Sequence, residues 1–222
     1  MGETPGIAAA AFFDISGYAH ASLFDGAGTC WAPLGKPLRE YINARIAPGV
    51  AGTVSPAAHL VSDDIQIGEG TVVEAGAYIC GPAIIGKNCQ IRHGAYIRGD
   101  VLVGDGCVIG HTTEVKGSIF LNGAKAGHFA YVGDSILGNA VNLGAGTKLA
   151  NFKLTANEVV LRVGDQRIPS GLRKFGAILG DGCQTGCNSV TSPGTLLGKA
   201  SFVFPCVSVR AQLYPEKTRL RE

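Results

Sequence analysis

Residues Ile67 to Leu121 read IGEGTVVEAGAYICGPAIIGKNCQIRHGAYIRGDVLVGDGCVIGHTTEVKGSIFL. A branched apolar residue returns at every sixth position: Ile67, Val73, Ile79, Ile85, Ile91, Ile97, Val103, Ile109, Val115 and Leu121. Period six fits neither a helix, which wants about 3.6, nor the simple alternation of a strand. Glycine follows the apolar residue at Ile67-Gly68, Ile85-Gly86, Val103-Gly104 and Ile109-Gly110. Each hexad therefore reads as a short strand and a tight turn, with glycine taking backbone angles that other residues adopt at a cost. Three hexads close a triangular coil, and stacked coils bury the apolar residues along a central axis. The expected fold is all-β, a parallel β-helix.

Outward from this stretch the spacing shortens near Ala126 and again between Val132 and Leu137. It resumes through Leu143 and Leu149, and later through Leu179, Thr185, Thr191, Leu197 and Val203. Between Asn151 and Arg173 the hexads stop. There Glu158 to Val163, Gly164-Asp165 and Gln166 to Ile168 read as a hairpin, an insertion at about 154–172. Counting hexads gives about seven coils, or roughly 34 Å of stacked strands. Residues 1–50 lack the period, and Pro33 to Ile46 reads as a short helix after a loop. The expected organisation is a small N-terminal cap over the first coil (1–50), followed by the β-helix (51–222).

Composition excludes several classes. Of 222 residues 33 are glycine, while charged residues are 16% and hydrophobic ones 46%, so the chain has too much apolar character for disorder. A net charge of +2 gives no electrostatic case for nucleic acid or a membrane surface. The apolar run Ile7 to Phe13 is too short to span a bilayer, and Glu3 and Asp14 flank it where a signal peptide would be basic. Seven scattered cysteines without CxxC spacing read as reduced thiols of a cytoplasmic protein.

The hexads resemble those of the hexapeptide-repeat proteins, which implies a left-handed coil, against the usual right-handed crossover. Two constellations lie on that frame. Cys89 and Cys107 are 18 apart, as are His93 and His111. The strings Ile97-Arg98-Gly99-Asp100 and Gly110-His111 resemble the γ-class carbonic anhydrases, which hold zinc on such a coil. Lys116 stands where that family places a further histidine, and a cationic lysine is a poor ligand. No metal is therefore expected, and the two cysteines read as small interior hydrophobes.

The second constellation runs through Val115-Lys116-Gly117-Ser118, then Ala124-Lys125-Ala126-Gly127-His128-Phe129-Ala130-Tyr131, then Val141-Asn142-Leu143-Gly144-Ala145-Gly146-Thr147 and Asn151. It is similar to the acetyltransferase domain of the bifunctional N-acetylglucosamine-1-phosphate uridylyltransferase/glucosamine-1-phosphate N-acetyltransferase. The likeness is detailed over about residues 95–151, looser over 172–205, and does not reach residues 1–50, which are too few to build a nucleotidyltransferase domain. The resemblance implies His128 as general base for the sugar amine. It implies Arg98, Lys116 and Lys174 for a sugar phosphate, with Tyr131, Asn142 and Asn151 on phosphate or sugar hydroxyls. It places acetyl-CoA, the expected co-substrate, along Ala145, Cys187 and Pro205, with backbone N–H groups near Gly144 and Gly146 stabilising the oxyanion. It also implies a homotrimer with sites between subunits.

This chain departs from the family at Phe152, where the family has tyrosine, at Cys187, where it has serine, and at Pro205, where it has alanine. The sugar pocket and the CoA groove are thus altered. A rival expectation is a non-catalytic β-helix that binds sugar phosphate as the partner of a separate nucleotidyltransferase.

Overall fold

The computed structural model describes residues 6–155 and 157–221. It is a left-handed parallel β-helix whose three faces carry nine, nine and eight parallel strands. The first face begins at Gly49–Val50, the second at Thr53–Val54 and the third at His59–Leu60. Nine levels span about 38 Å at ~4.8 Å per layer. The sequence count of seven falls short at both ends. The first coil spaces its inward residues irregularly (Val50, Val54, Leu60), and the last is cut to Tyr214 and Leu220.

The interior column is the one the period picks out, from Ile67 and Val73 to Val203 and Val209. One position differs. Val103 pairs with Phe120, not Leu121, so the coil shortens between Val115 and Phe120 and not near Ala126. Phe120 fills the coil while Leu121 points out of it. Adjacent apolar residues both satisfy a one-position slip, so the pattern alone reads either. Cys89 and Cys107 are buried in this column, their Sγ–H groups donating to the carbonyls of Gly104 (3.1 Å) and Leu121 (3.0 Å).

The glycine after each interior residue has a different reason from the one expected. Gly68 needs no left-handed angle; a Cβ there would come within 2.6 Å of the Gly86 backbone one coil above. The left-handed turn falls at the corners, often on residues other than glycine, including Asp100, Thr112, Phe129, Asp134, Asn188 and Cys206.

Among the described residues the N-terminal segment does not cover the end of the first coil. It lies along the outer side of the first face, because that side is apolar at successive levels. Phe12, Phe13, Phe24, Trp31, Leu34, Leu38 and Ile42 pack with the outward side chains Ile84, Leu102, Ile119, Ile136, Ile178 and Leu196 in a second buried core. The helix Lys36–Arg45 has proline in its first turn, buries Leu38 and Ile42, and runs beside Val101–Val103. The insertion forms an antiparallel ribbon, Val160–Val163 with Gln166–Pro169, that buries Leu161 against the same core. Among the described residues no helix is long and apolar enough to cross a membrane.

Candidate active site

Hexad geometry sorts the candidate residues onto two corners of the coil. Strand Lys125–His128 of the second face pairs with Asn142–Leu143, that with Gln184–Thr185, and that with Phe202–Val203. Continuing this register two residues past each interior position stacks His128, Ala145, Cys187 and Pro205 in one column at the corner between the second and third faces. Backbone bonds hold the column: Gly146 N–H donates to His128 O (2.9 Å), Asn188 N–H to Ala145 O (2.8 Å), and Cys206 N–H to Cys187 O (2.9 Å). His128, Cys187 and Pro205 are exposed. The His128 ring makes no hydrogen bond among the described residues. An exposed apolar hollow of about 250 Å³ lined by Thr185, Phe202, Phe204 and Pro205 lies at the far end of the column.

His93 and His111 head the same column. Their rings stack at 5.5 Å and 13°, and each Nδ1–H donates to a carbonyl of the coil beneath, Ala75 (2.7 Å) and His93 (2.9 Å) respectively. Phe129 sits edge-on to His111. Among the described residues no three His, Cys, Asp or Glu side chains converge in a way that could hold a metal.

The corner between the third face and the next coil gathers Arg98, Lys116, Tyr131, Asn151 and Lys174, which with Phe152 line a hollow of about 340 Å³. Arg98 and Lys116 lie on the third face at successive levels, where Ile97 pairs with Val115. Lys174 arrives from the insertion, whose base closes through an antiparallel bridge between Phe152 and Lys174. Asn142 stands apart: it is an exposed second-face residue paired with Lys125 and Gln184, on the far side of the His128 corner.

Arg98 and Lys116 are held by carboxylates that the sequence reading did not single out. Arg98 donates to Glu114 (2.7 Å), and Lys116 Nζ donates to both oxygens of Asp134 (2.8 and 3.1 Å). Asn151, 8% exposed, donates from its amide to Asp134 and accepts from the Tyr131 hydroxyl (3.4 Å). Burial raises the Tyr131 pKa, and Glu114 and Asp134 push it further, so the phenol is a firm hydrogen-bond donor. Asp134 stands 18 residues after Lys116 but one past its register partner Gly133, because this coil is 17 residues long.

The N-terminal segment completes the cleft. Lys36 and Arg39 join Arg98, Asp100, Lys116, Asp134 and Lys174 around a cavity of about 470 Å³. Arg39 Nε donates to both Asp100 oxygens (2.9 and 3.1 Å), latching the helix Lys36–Arg45 over the coil corner. These two residues carry no periodic signal. Five cations line the cleft with Asp100 and Asp134, and with Glu114 on Arg98 and Glu40 on Lys36 included one positive charge remains, the charge a phosphate would neutralise.

Part of the chain is similar to known proteins. Residues 79–168 match the family model described as the GMPPB C-terminal domain. A bifunctional sugar-1-phosphate nucleotidylyltransferase/acetyltransferase of Sulfurisphaera tokodaii is 40% identical over 87 residues, which is 39% of this chain and 22% of that protein. The bifunctional protein GlmU of Methanococcus aeolicus is 34% identical over 85 residues, 38% of this chain and 20% of that protein. This chain thus covers about a fifth of the length of these relatives. The solved UDP-N-acetylglucosamine acyltransferase of Francisella novicida aligns with 72% of this chain and 62% of its own at 15% identity and a TM-score of 0.36. The resemblance read from the hexads stands: through about two-fifths of its length this left-handed β-helix is similar to the C-terminal region of GlmU-type bifunctional proteins.

Proposed function

We propose that the protein transfers an acetyl group from acetyl-CoA to the amine of a phosphorylated amino sugar, glucosamine-1-phosphate or a close relative. The observation that carries this reading is the division of labour between two neighbouring corners. One gathers five phosphate- and sugar-binding candidates in a net-positive cleft. The other stacks His128 in register with Ala145, Cys187 and Pro205, a path along the coil axis suited to an extended pantetheine arm. The similarity to proteins named as acetyltransferases supports the same chemistry.

In this reading Arg98, Lys116 and Lys174 fix the phosphate by charge-assisted hydrogen bonds, and Tyr131 and Asn151 orient the sugar. The amine attacks the thioester carbonyl, His128 takes the amine proton, and the thiolate leaves and is protonated as free CoA. Among the described residues the Ala145 N–H is the one at this corner left to receive the developing oxyanion, since those of Gly144 and Gly146 donate to Thr185 and His128 within the coil. Acetyl-CoA supplies the activated acyl group, and neither a metal nor a covalent enzyme intermediate enters the scheme. A homotrimer, with sites between subunits, belongs to the same proposal.

The test is thiol release from acetyl-CoA on addition of glucosamine-1-phosphate, with the product identified by mass. Saturable release dependent on the amino sugar is the expected result. A second reading, a sugar-phosphate-binding partner of a nucleotidyltransferase, is favoured by one observation: Cys187 and Pro205 stand in the column where the resemblance places serine and alanine along the acyl donor. Binding of glucosamine-1-phosphate without binding of acetyl-CoA would select that reading over transfer.

A further inference from the structure

The insertion carries a feature that acetyl transfer does not use. Its two strands place Arg162 directly opposite Arg167. Directly opposed like charges destabilise an antiparallel pair, because their Cβ atoms stand only about 5 Å apart. Both residues are exposed, while Leu161 on the alternate face is buried in the second core, so the ribbon lies flat and turns the arginines outward. A third cation, Lys153, comes from the other side of the insertion. Together with Val160, Leu161 and Ala211 the three line a cavity of about 300 Å³.

Among the described residues none of the three cations forms an ion pair. Lys153 Nζ donates to the backbone carbonyl of Glu158 (3.1 Å), Glu158 itself accepts from Gly171 N–H, and Asp165 in the turn pairs with neither arginine. The contrast with the cleft at Arg98 and Lys116 is direct, since each of those cations has its own carboxylate. Three convergent cations around a cavity, two of them held in a repulsive register by the ribbon, form an arrangement that a multivalent anion would stabilise.

We propose that the outer face of this ribbon is a second anion site, built by Lys153, Arg162 and Arg167, that takes a phosphoryl group. Its cavity shares no lining residue with the cleft at Arg98 and Lys116. Lys153 nevertheless follows Phe152, a wall of the first hollow. The phosphoryl group therefore belongs either to a separate phosphorylated molecule or to the distal phosphate of a nucleotide-linked sugar whose other end occupies the first cleft. The site itself does not depend on acetyl transfer.

Pyrophosphate is the probe, titrated calorimetrically into the full chain. Arg98→Ala, Lys116→Ala and Lys174→Ala together remove the phosphate cations of the first cleft from the measurement. In that triple-variant background pyrophosphate binding is expected to persist, and adding Arg162→Gln and Arg167→Gln weakens it at least tenfold, as loss of two charge-assisted hydrogen bonds requires. Absence of binding in the triple variant, or equal binding with and without the arginines, overturns the proposal. In the wild-type background the arginine pair alone should not lower the melting temperature without ligand, because it removes a repulsion. A lower melting temperature, or a change in mass by light scattering, would mean that the guanidinium groups hold the fold or a second copy, and would also overturn it. Glucosamine-1-phosphate and a uridine diphosphate sugar separate the two sources. A distal-phosphate role predicts that the arginine pair weakens the nucleotide sugar alone, and a separate ligand predicts that it weakens neither.

Discussion

Along the corner that carries His128, Cys187 and Pro205 the side chains are exposed, and the His128 ring has no hydrogen-bond partner among the described residues. Across the third face, at the next corner, Asp100, Lys116 and Asp134 are each tied to an opposite charge. Both corners are made by the same hexad turn, with left-handed backbone at Phe129 on one and at Asp100 and Asp134 on the other. Backbone geometry therefore does not separate them; partner count does. A corner whose side chains touch little can be altered with little effect on the fold, so its chemistry is free to serve a reaction. A corner built on paired charges binds anions only while those pairs hold its cations in place.

The comparison predicts opposite readouts for one kind of substitution. His128→Ala should lower turnover by about 10²–10⁴, the usual contribution of a positioned general base. It should leave glucosamine-1-phosphate affinity and the melting temperature close to wild type, since the exposed side chain that is removed has no hydrogen-bond partner among the described residues and touches only the exposed Phe129 ring. Rate and melting curves measured on one preparation decide this, and a large drop in melting temperature would erase the distinction between the corners.

Asp134→Ala should act the other way. The Lys116–Asp134 pair is largely shielded, with side chains 18% and 14% exposed, and the same carboxylate holds Asn151. Leaving Lys116 unpaired should cost about 2–3 kcal/mol, somewhat below the usual range for a fully buried pair. That corresponds to a fall of roughly 4–12 °C in melting temperature for a chain of this size. Phosphate affinity should fall with it, because Lys116 and Asn151 lose their shared anchor. An unchanged melting temperature would show that the paired corner is no more structural than the open one.

The interior of the coil was legible because burial on a period of six leaves the same residue type at the same position, level after level. Legibility failed where two neighbours could fill one slot, as Phe120 and Leu121 can, and where a coil had too few hexads to set a period, as at Val50 and Leu220. The cations of the cleft were visible through their spacing and their likeness to a known family. Their carboxylates were not, because Glu114 and Asp134 pair across coils of different length. The N-terminal segment was the least legible part. It has no repeat of its own, and it follows an apolar stripe on the outer side of the first face that the hexad reading treats as solvent-facing. Lys36 and Arg39 reach the cleft only because of that stripe.

The same segment supplies the smallest effect and the sharpest contrast with the coil. Its edge is held by His20, whose Nδ1 lies 3.2 Å from the Tyr41 hydroxyl and whose ring packs edge-on against Tyr18 and Tyr41. Burial lowers the His20 pKa, and the nearby Arg45 lowers it further against a weaker opposing effect of Asp105. A histidine with a depressed folded value favours its neutral form in the native state. Its contribution to stability is complete above the unfolded value of about 6.5 and is lost as pH falls from there through the folded value. Acidification from about pH 7.5 to 5.5 should therefore loosen the segment before the coil. Trp31, the one tryptophan of the chain, is buried there against Phe175 at 6.1 Å and reports the event by its emission. His20→Gln cannot take up the proton, so its Trp31 transition should depend less on pH than that of the wild type, while the coil signal in the far ultraviolet should move equally in both. Identical pH dependence of Trp31 in the two proteins would place the acid-sensitive groups elsewhere, and would make the segment as rigidly joined to the coil as one coil is to the next.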